Sequence, residues 1–205
     1  MIRGGATIAI VHARLRRDAA AALVGIGACA LLGYLQRYDA QPVRLAGAIG
    51  FGTLVAIVSS LLQRGRAGHM ELCERAAPLF GRELARATAL VPCVIACCAS
   101  AAYWIVAAAY ALPPAADIGL TLAAVNLAAL FSLRATLERG AARWFWLIVA
   151  CAAAGAIYAM QKAPVAIAIG AAAVALFAAL RQYGEALARE DPLDGLSRGG
   201  GGEFF

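Results

Sequence analysis

The chain has 205 residues, 63% of them hydrophobic, and a formal net charge of +6. With a mean hydropathy of +0.76 it has too little polar surface to cover a water-soluble globule, and its apolar residues fall in runs near bilayer length. The arginines behind the positive charge flank those runs, so membrane topology accounts for them and nucleic acid is not an expected partner. The six cysteines (Cys29, Cys73, Cys93, Cys97, Cys98 and Cys151) lie mostly inside apolar runs and read as small packing residues, not as a disulfide framework.

Residues 1–18 carry the basic cluster His12, Arg14, Arg16 and Arg17, and no small-residue cleavage site ahead of a soluble domain, so the segment is expected to stay in place. Ile8, Val11 and Leu15 form one helical stripe with His12, Arg14 and Arg16 off it. That favours a short helix in the headgroup layer over a frayed basic tail. A first span is expected at about 19–35 and a second at about 43–62, with only "QRYDAQP" between them, so the two form a hairpin with Pro42 placed to start the second helix. Tyr34 and Tyr38 sit where an aromatic belt belongs. Gly25, Cys29 and Gly33, and on the second span Gly47, Gly50 and Gly52, are small residues at which helix backbones can approach closely.

A polar interruption follows, Gln63 to Ala87, with five arginines and three glutamates. Its hydrophobic residues are too dispersed to cross a bilayer, so it lies on one membrane face. Leu72, Cys73 and Ala76 against Glu71, Glu74 and Arg75 predict a short amphipathic helix over Met70 to Ala76, which Pro78 ends. A second helix, "LFGRELARA", then leads into span three. Leu79 and Phe80 are left exposed at the bend, to enter a groove on a partner or to dip into the headgroups.

Span three is expected at about 90–111, span four at about 115–133 after the turn "LPPAAD" with Asp117 as an end marker. Trp144 and Trp146 open span five, which ends near Met160; "QKAP" turns the chain into span six, about 163–180. Residues 19–183 therefore read as a transmembrane domain with a cytoplasmic segment over 63–87, and 184–205 as a flexible cytoplasmic tail that becomes glycine-rich. Six spans put both ends of the chain on one side. Fifteen of the eighteen Lys and Arg residues fall on that side and three, Arg37, Arg44 and Lys162, on the other, which makes the first side cytoplasmic. The expected fold is an all-α integral membrane protein: six transmembrane helices, an N-terminal interfacial helix and a cytoplasmic helix-Pro-helix segment between spans two and three.

Chemistry is sparse. The chain has no Walker A motif, zinc helix or nucleophile elbow, and its two histidines, His12 and His69, lie far apart outside the spans, so neither catalysis nor a cofactor is expected. Cys93 and Cys97 share a helical face with Cys98 adjoining, but no Met or His cluster joins them, so no metal is expected. Asn126 is the most polar intramembrane position, placed to line a pathway or to hydrogen-bond a neighbouring helix.

The string "ERAAPLFGRELARATAL", Glu74 to Leu90, resembles the coupling-helix passage in the membrane subunit of an ABC-2-type ABC transporter, where a Glu-bearing stretch meets a Leu-Pro or similar bend and an Arg-Glu-Leu start of the third span. The order of an amphipathic segment, two spans, a cytoplasmic helix-Pro-helix segment and four more spans is similar to that family as well. The family also places re-entrant half-helices between its last two spans, where this chain has only "QKAP". The resemblance implies a permease subunit in a bacterial inner membrane. It would form a homodimer or a heterodimer with another permease half and receive a cytoplasmic ATP-binding subunit on Glu71, Leu72, Glu74, Pro78, Leu79, Phe80, Arg82 and Glu83. The competing expectation is a membrane scaffold or assembly protein whose cytoplasmic segment docks a partner without moving cargo.

Overall fold

The computed structural model describes residues 8, 11–16, 18–65, 81–109, 112–138 and 140–189, with no strand among them. Six long helices follow in order: α1 (Ala19–Leu35), α2 (Gln41–Gly65), α3 (Gly81–Ala108), α4 (Ala115–Leu137), α5 (Ala141–Ala159), a 3-10 turn (Met160–Lys162) and α6 (Val165–Arg189). Five stretches are long and apolar enough to cross a membrane: Gln41–Leu62, Ala87–Ala108, Ala115–Leu137, Ala141–Lys162 and Ala166–Ala186. The side chains turned outward are apolar too, among them Leu23, Val24, Ile105, Phe145, Ile148, Val174 and Phe177. Such a surface is stable against hydrocarbon and not against water. The protein is a multi-pass helical membrane protein.

The first helix covers the residues expected of it but is not among the stretches long enough to cross. It is as apolar as the others but has only 17 residues, about 25 Å of helix against a hydrocarbon core of about 30 Å. Residues 11–16 are helical, and helix-type bonds from the Asp18 amide to the Arg14 carbonyl (3.1 Å) and from the Ala22 amide to the Asp18 carbonyl (2.9 Å) carry that turn into α1. Asp18 itself, at φ −95° and ψ 7°, distorts the junction. On this lead-in Val11 and Leu15 are half-buried and His12 and Arg16 exposed, as the stripe requires, but Ile8, its third member, is exposed and Arg14 is buried. At the other end of the chain α6 continues to Arg189, past the point where the tail was expected to begin, and an Arg181–Glu185 pair one turn apart supports the extension.

The connections follow from their residues. Ala163, before Pro164, is extended (φ −81°, ψ 156°), as a residue preceding proline must be, and this ends the 3-10 turn. Residues 160–164 join α5 directly to α6, which leaves no chain for re-entrant half-helices. Gly140, at φ 56°, lets the chain reverse between α4 and α5 in a backbone conformation that a side chain would strain.

Contacts at one end of the bundle show that the helices alternate in direction. Tyr103 near the end of α3 has its hydroxyl 2.8 Å from Gln36 Oε1 and 2.9 Å from the Arg44 carbonyl, which ties α3 to the turn between α1 and α2. Gln41 Nε2 donates to Asp117 Oδ2 (2.9 Å), Trp104 Nε1 to Thr121 Oγ1 (3.2 Å), and Tyr158 to the Pro42 carbonyl (3.4 Å). Asp117, expected only as an end marker, is a buried carboxylate held by an amide from another helix. Arg37, stacked 3.7 Å from the Tyr34 ring centre, has its pKa pushed further up by Tyr34 and then Tyr38, so it stays cationic on this face. At the opposite end Arg134 in the last turn of α4 pairs with Glu138 and covers the Trp146 ring, which stacks on Phe131.

The helix α4 is the centre. It packs against α2, α3, α5 and α6, and Ala124, Ala128 and Ala129 are wholly buried along it. Ala128 and Ala129 meet Ala56, Ala96, Val125 and Ala150 in one layer, where small side chains let backbones approach and gain dispersion contacts that lipid cannot supply. The first hairpin is a looser pair than its short turn suggests. The helices α1 and α2 touch near their turn, where Gln36 lies over Gly47, and again where Gly25 meets Val55, beside a cleft of about 460 Å³ lined by Val24, Ala28, Leu54 and Val58. The main partner of α1 is α3, against which Gly33 sits so closely that a Cβ there would lie 2.5 Å from the Tyr103 carbonyl oxygen.

Candidate functional site

Two cavities line up along α6, on the side where it leans on α3 and α4. One, of about 500 Å³, is lined by Gly119, Leu122 and Ala123 of α4, by Met160 and Gln161, and by Ile169 and Ala172 of α6. The other, of about 470 Å³, is lined by Leu90 and Cys93 of α3, Leu130 of α4, and Phe177 and Leu180 of α6. Asn126 and Leu176 line both, so the two read as one furrow running most of the height of the bundle with a single amide at its waist. Its walls are short because α6 presents Ala168, Ala172 and Ala173 to it, side chains too small to fill the space that α4 leaves.

Asn126 is the middle residue of the 23-residue α4, which puts its amide near the bilayer midplane. Its Nδ2 donates to the Leu122 carbonyl in its own helix (2.7 Å) and to Cys97 Sγ on α3 (3.3 Å); the Cys97 thiol lies 3.8 Å from Asn126 Oδ1. Asn126 therefore hydrogen-bonds a neighbouring helix, one of the two roles expected of it, and it also lines the furrow. A polar bridge of this kind contributes on average about 0.6 kcal/mol in a membrane protein. Cys93 faces the furrow and Cys97 the amide, but among the described residues no cluster of His, Cys, Asp or Glu is arranged to hold a metal.

The expected coupling residues divide between two regions. Arg82 and Glu83 fall in the first turn of α3, while Glu71, Leu72, Glu74, Pro78, Leu79 and Phe80 lie outside the described residues. The ends that bracket residues 66–80 are described. Both α2 and α3 reach the end of the bundle opposite Tyr103, and α3 runs unbroken from Gly81 to Ala108 with Pro92 inside it. Its 28 residues extend about 42 Å, beyond a hydrocarbon core of about 30 Å. Sequence reasoning did not find the furrow or the Asn126–Cys97 bridge as such. The i, i+4 spacing of Cys93 and Cys97 and the central place of Asn126 were visible, but nothing in the sequence pairs α3 with α4.

A scan against protein-family models and searches of curated proteins and of solved structures find no match to this chain. The fold and the furrow define its class as a multi-pass helical membrane protein with an apolar furrow along α6.

Proposed function

We propose that the chain is the membrane-spanning permease subunit of an ATP-driven exporter in a bacterial inner membrane, with α1 as a sixth crossing and both ends of the chain in the cytoplasm. The observation that carries this reading is α3, one continuous helix from Gly81 to Ala108 whose stretch Ala87–Ala108 is long and apolar enough to cross a membrane. A push on the segment before it reaches Cys97, Asn126 and the furrow without passing through a loop. Pro92 lies in the inner part of that helix and removes its bond to the Thr88 carbonyl, which makes it the place where such a push bends α3. The 17 residues of α1 are at the short end of what spans a bilayer, and the helical lead-in through Arg14 lengthens it.

The partner in this reading is a cytoplasmic ATP-binding subunit received on residues 63–87, and the cargo is lipid-like, since the furrow is apolar and open to the bilayer. The chain carries no ATPase motif, so hydrolysis belongs to the partner. Affinity purification of the full chain from its native membrane should bring down ATP-hydrolysing activity. Deletion of Met70 to Arg82 should abolish that activity while the protein still inserts. ATPase recovery equal to that of the intact chain would leave the scaffold reading or another docking site.

A further inference from the structure

We infer that the furrow selects a neutral, single-chain amphiphile bearing a hydrogen-bond donor, such as a long-chain alcohol or an amide, over an anionic or ether-capped one. The inference rests on reading the furrow as the cargo site and names the chemistry of what enters it. An amide can be turned end for end without changing its shape, but here the neighbours settle the matter. The Leu122 carbonyl, 2.7 Å away, can only accept, so the atom facing it must be the NH2 group. The second N–H of that group points to Cys97 Sγ at 3.3 Å. Both donors are thus committed inside the protein.

What Asn126 has left is Oδ1, approached only by the Cys97 thiol at 3.8 Å, a long contact from a weak donor. A carbonyl oxygen with spare lone pairs, half-buried beside apolar walls, gains from a hydroxyl or amide N–H. It repels a carboxylate or phosphate, which has only acceptors to offer. Among the described residues no cation lines either half of the furrow, so no opposite charge there compensates the desolvation of an anion. The apolar remainder, with Leu176 between the two halves and Phe177 beside one, has the volume of a pocket for a hydrocarbon chain.

The test is equilibrium binding of oleyl alcohol and of its methyl ether to the purified full-length protein, followed by native mass spectrometry. The two probes share the chain and the oxygen and differ in the donor hydrogen, which the ether replaces with a methyl group. Wild type should favour the alcohol by about three- to tenfold, the range of one neutral hydrogen bond. The Asn126→Leu variant should bind both equally, and Leu176→Trp, which fills the waist and leaves the amide in place, should bind neither. Equal binding of the two probes by wild type, with loss in Leu176→Trp, overturns the donor requirement and leaves the permease reading standing. Undiminished binding in Leu176→Trp overturns the furrow as the site. Neither result bears on whether ATPase activity co-purifies, which tests the permease reading by itself.

Discussion

Gly33→Ala should destabilise the protein by about 1–3 kcal/mol, the usual range for an overpacked contact, whereas Gly27→Ala, earlier on the same helix, should not. A Cβ at Gly33 would lie 2.5 Å from the Tyr103 carbonyl oxygen and 3.2 Å from its carbonyl carbon, and these are backbone atoms that cannot rotate away. The helix α1 would have to retreat from α3, and with it would go the approach of Gln36 to the Tyr103 hydroxyl at 2.8 Å. At Gly27 a Cβ meets nothing within 4 Å, and alanine is the better helix former by about 1 kcal/mol. Unfolding in detergent micelles, by heat or by denaturant, measures both. Similar stabilities for the two variants would show that α1 does not rest on α3 through Gly33.

The second large effect is expected on activity. Reversing the charges at Glu74 and Arg82, or replacing Phe80 by alanine, should reduce export to background while the partner's ATP hydrolysis continues and the protein remains in the membrane. The reasoning is mechanical. If the stroke enters α3 at its cytoplasmic end and bends it at Pro92, the grip at that end is needed to turn hydrolysis into movement of α3 against α4. Loosening the grip frees the motor without stopping it. Reconstitution with the ATPase that co-purifies, with hydrolysis and efflux of a long-chain alcohol read in the same vesicles, separates the two quantities. Unaltered export in these variants would rule out the coupling role of the segment.

Much of the helix layout was legible because bilayer length and turn chemistry are written locally. The first helix spans the residues expected of it, 19–35, and α4 begins where "LPPAAD" places it. The proline at 164, preceded by an extended Ala163, ends one helix and begins the next as its chemistry demands. Pairing was not legible. A helix such as α1 is apolar all round, so no stripe says which side meets which neighbour. The turn between α1 and α2 made a hairpin look like the obvious pair, yet the close contact of Gly33 is with α3. The glycine spacing pointed to close approach without a partner, and the outcome differs by residue. Gly47 lies under Gln36 and Gly52 against Val125 and Ser100, while Gly50 faces open space.

The candidate site was half visible for the same reason. Asn126 stands out in an apolar run, but its meaning comes from what surrounds it. Cys97 is 29 positions away, and the alanines of α6 that leave the furrow unfilled look in sequence like any others. Asp117 was similarly underread: an acidic residue after a Pro-Pro turn fits a helix start, and only the fold brings Gln41 across to hold it.

Sidedness is the direct test of the whole scheme, and single cysteines in an otherwise cysteine-free chain can read it with a membrane-impermeant maleimide. Asp39→Cys and Lys162→Cys, in the turns at the Tyr103 end, should label in intact cells, and Arg75→Cys and Arg189→Cys only after the membrane is opened. If Arg75→Cys and Arg189→Cys labelled from opposite sides, or if Arg75→Cys stayed unreactive from both, the segment before α3 would not be a cytoplasmic handle and the proposed mechanism would be wrong.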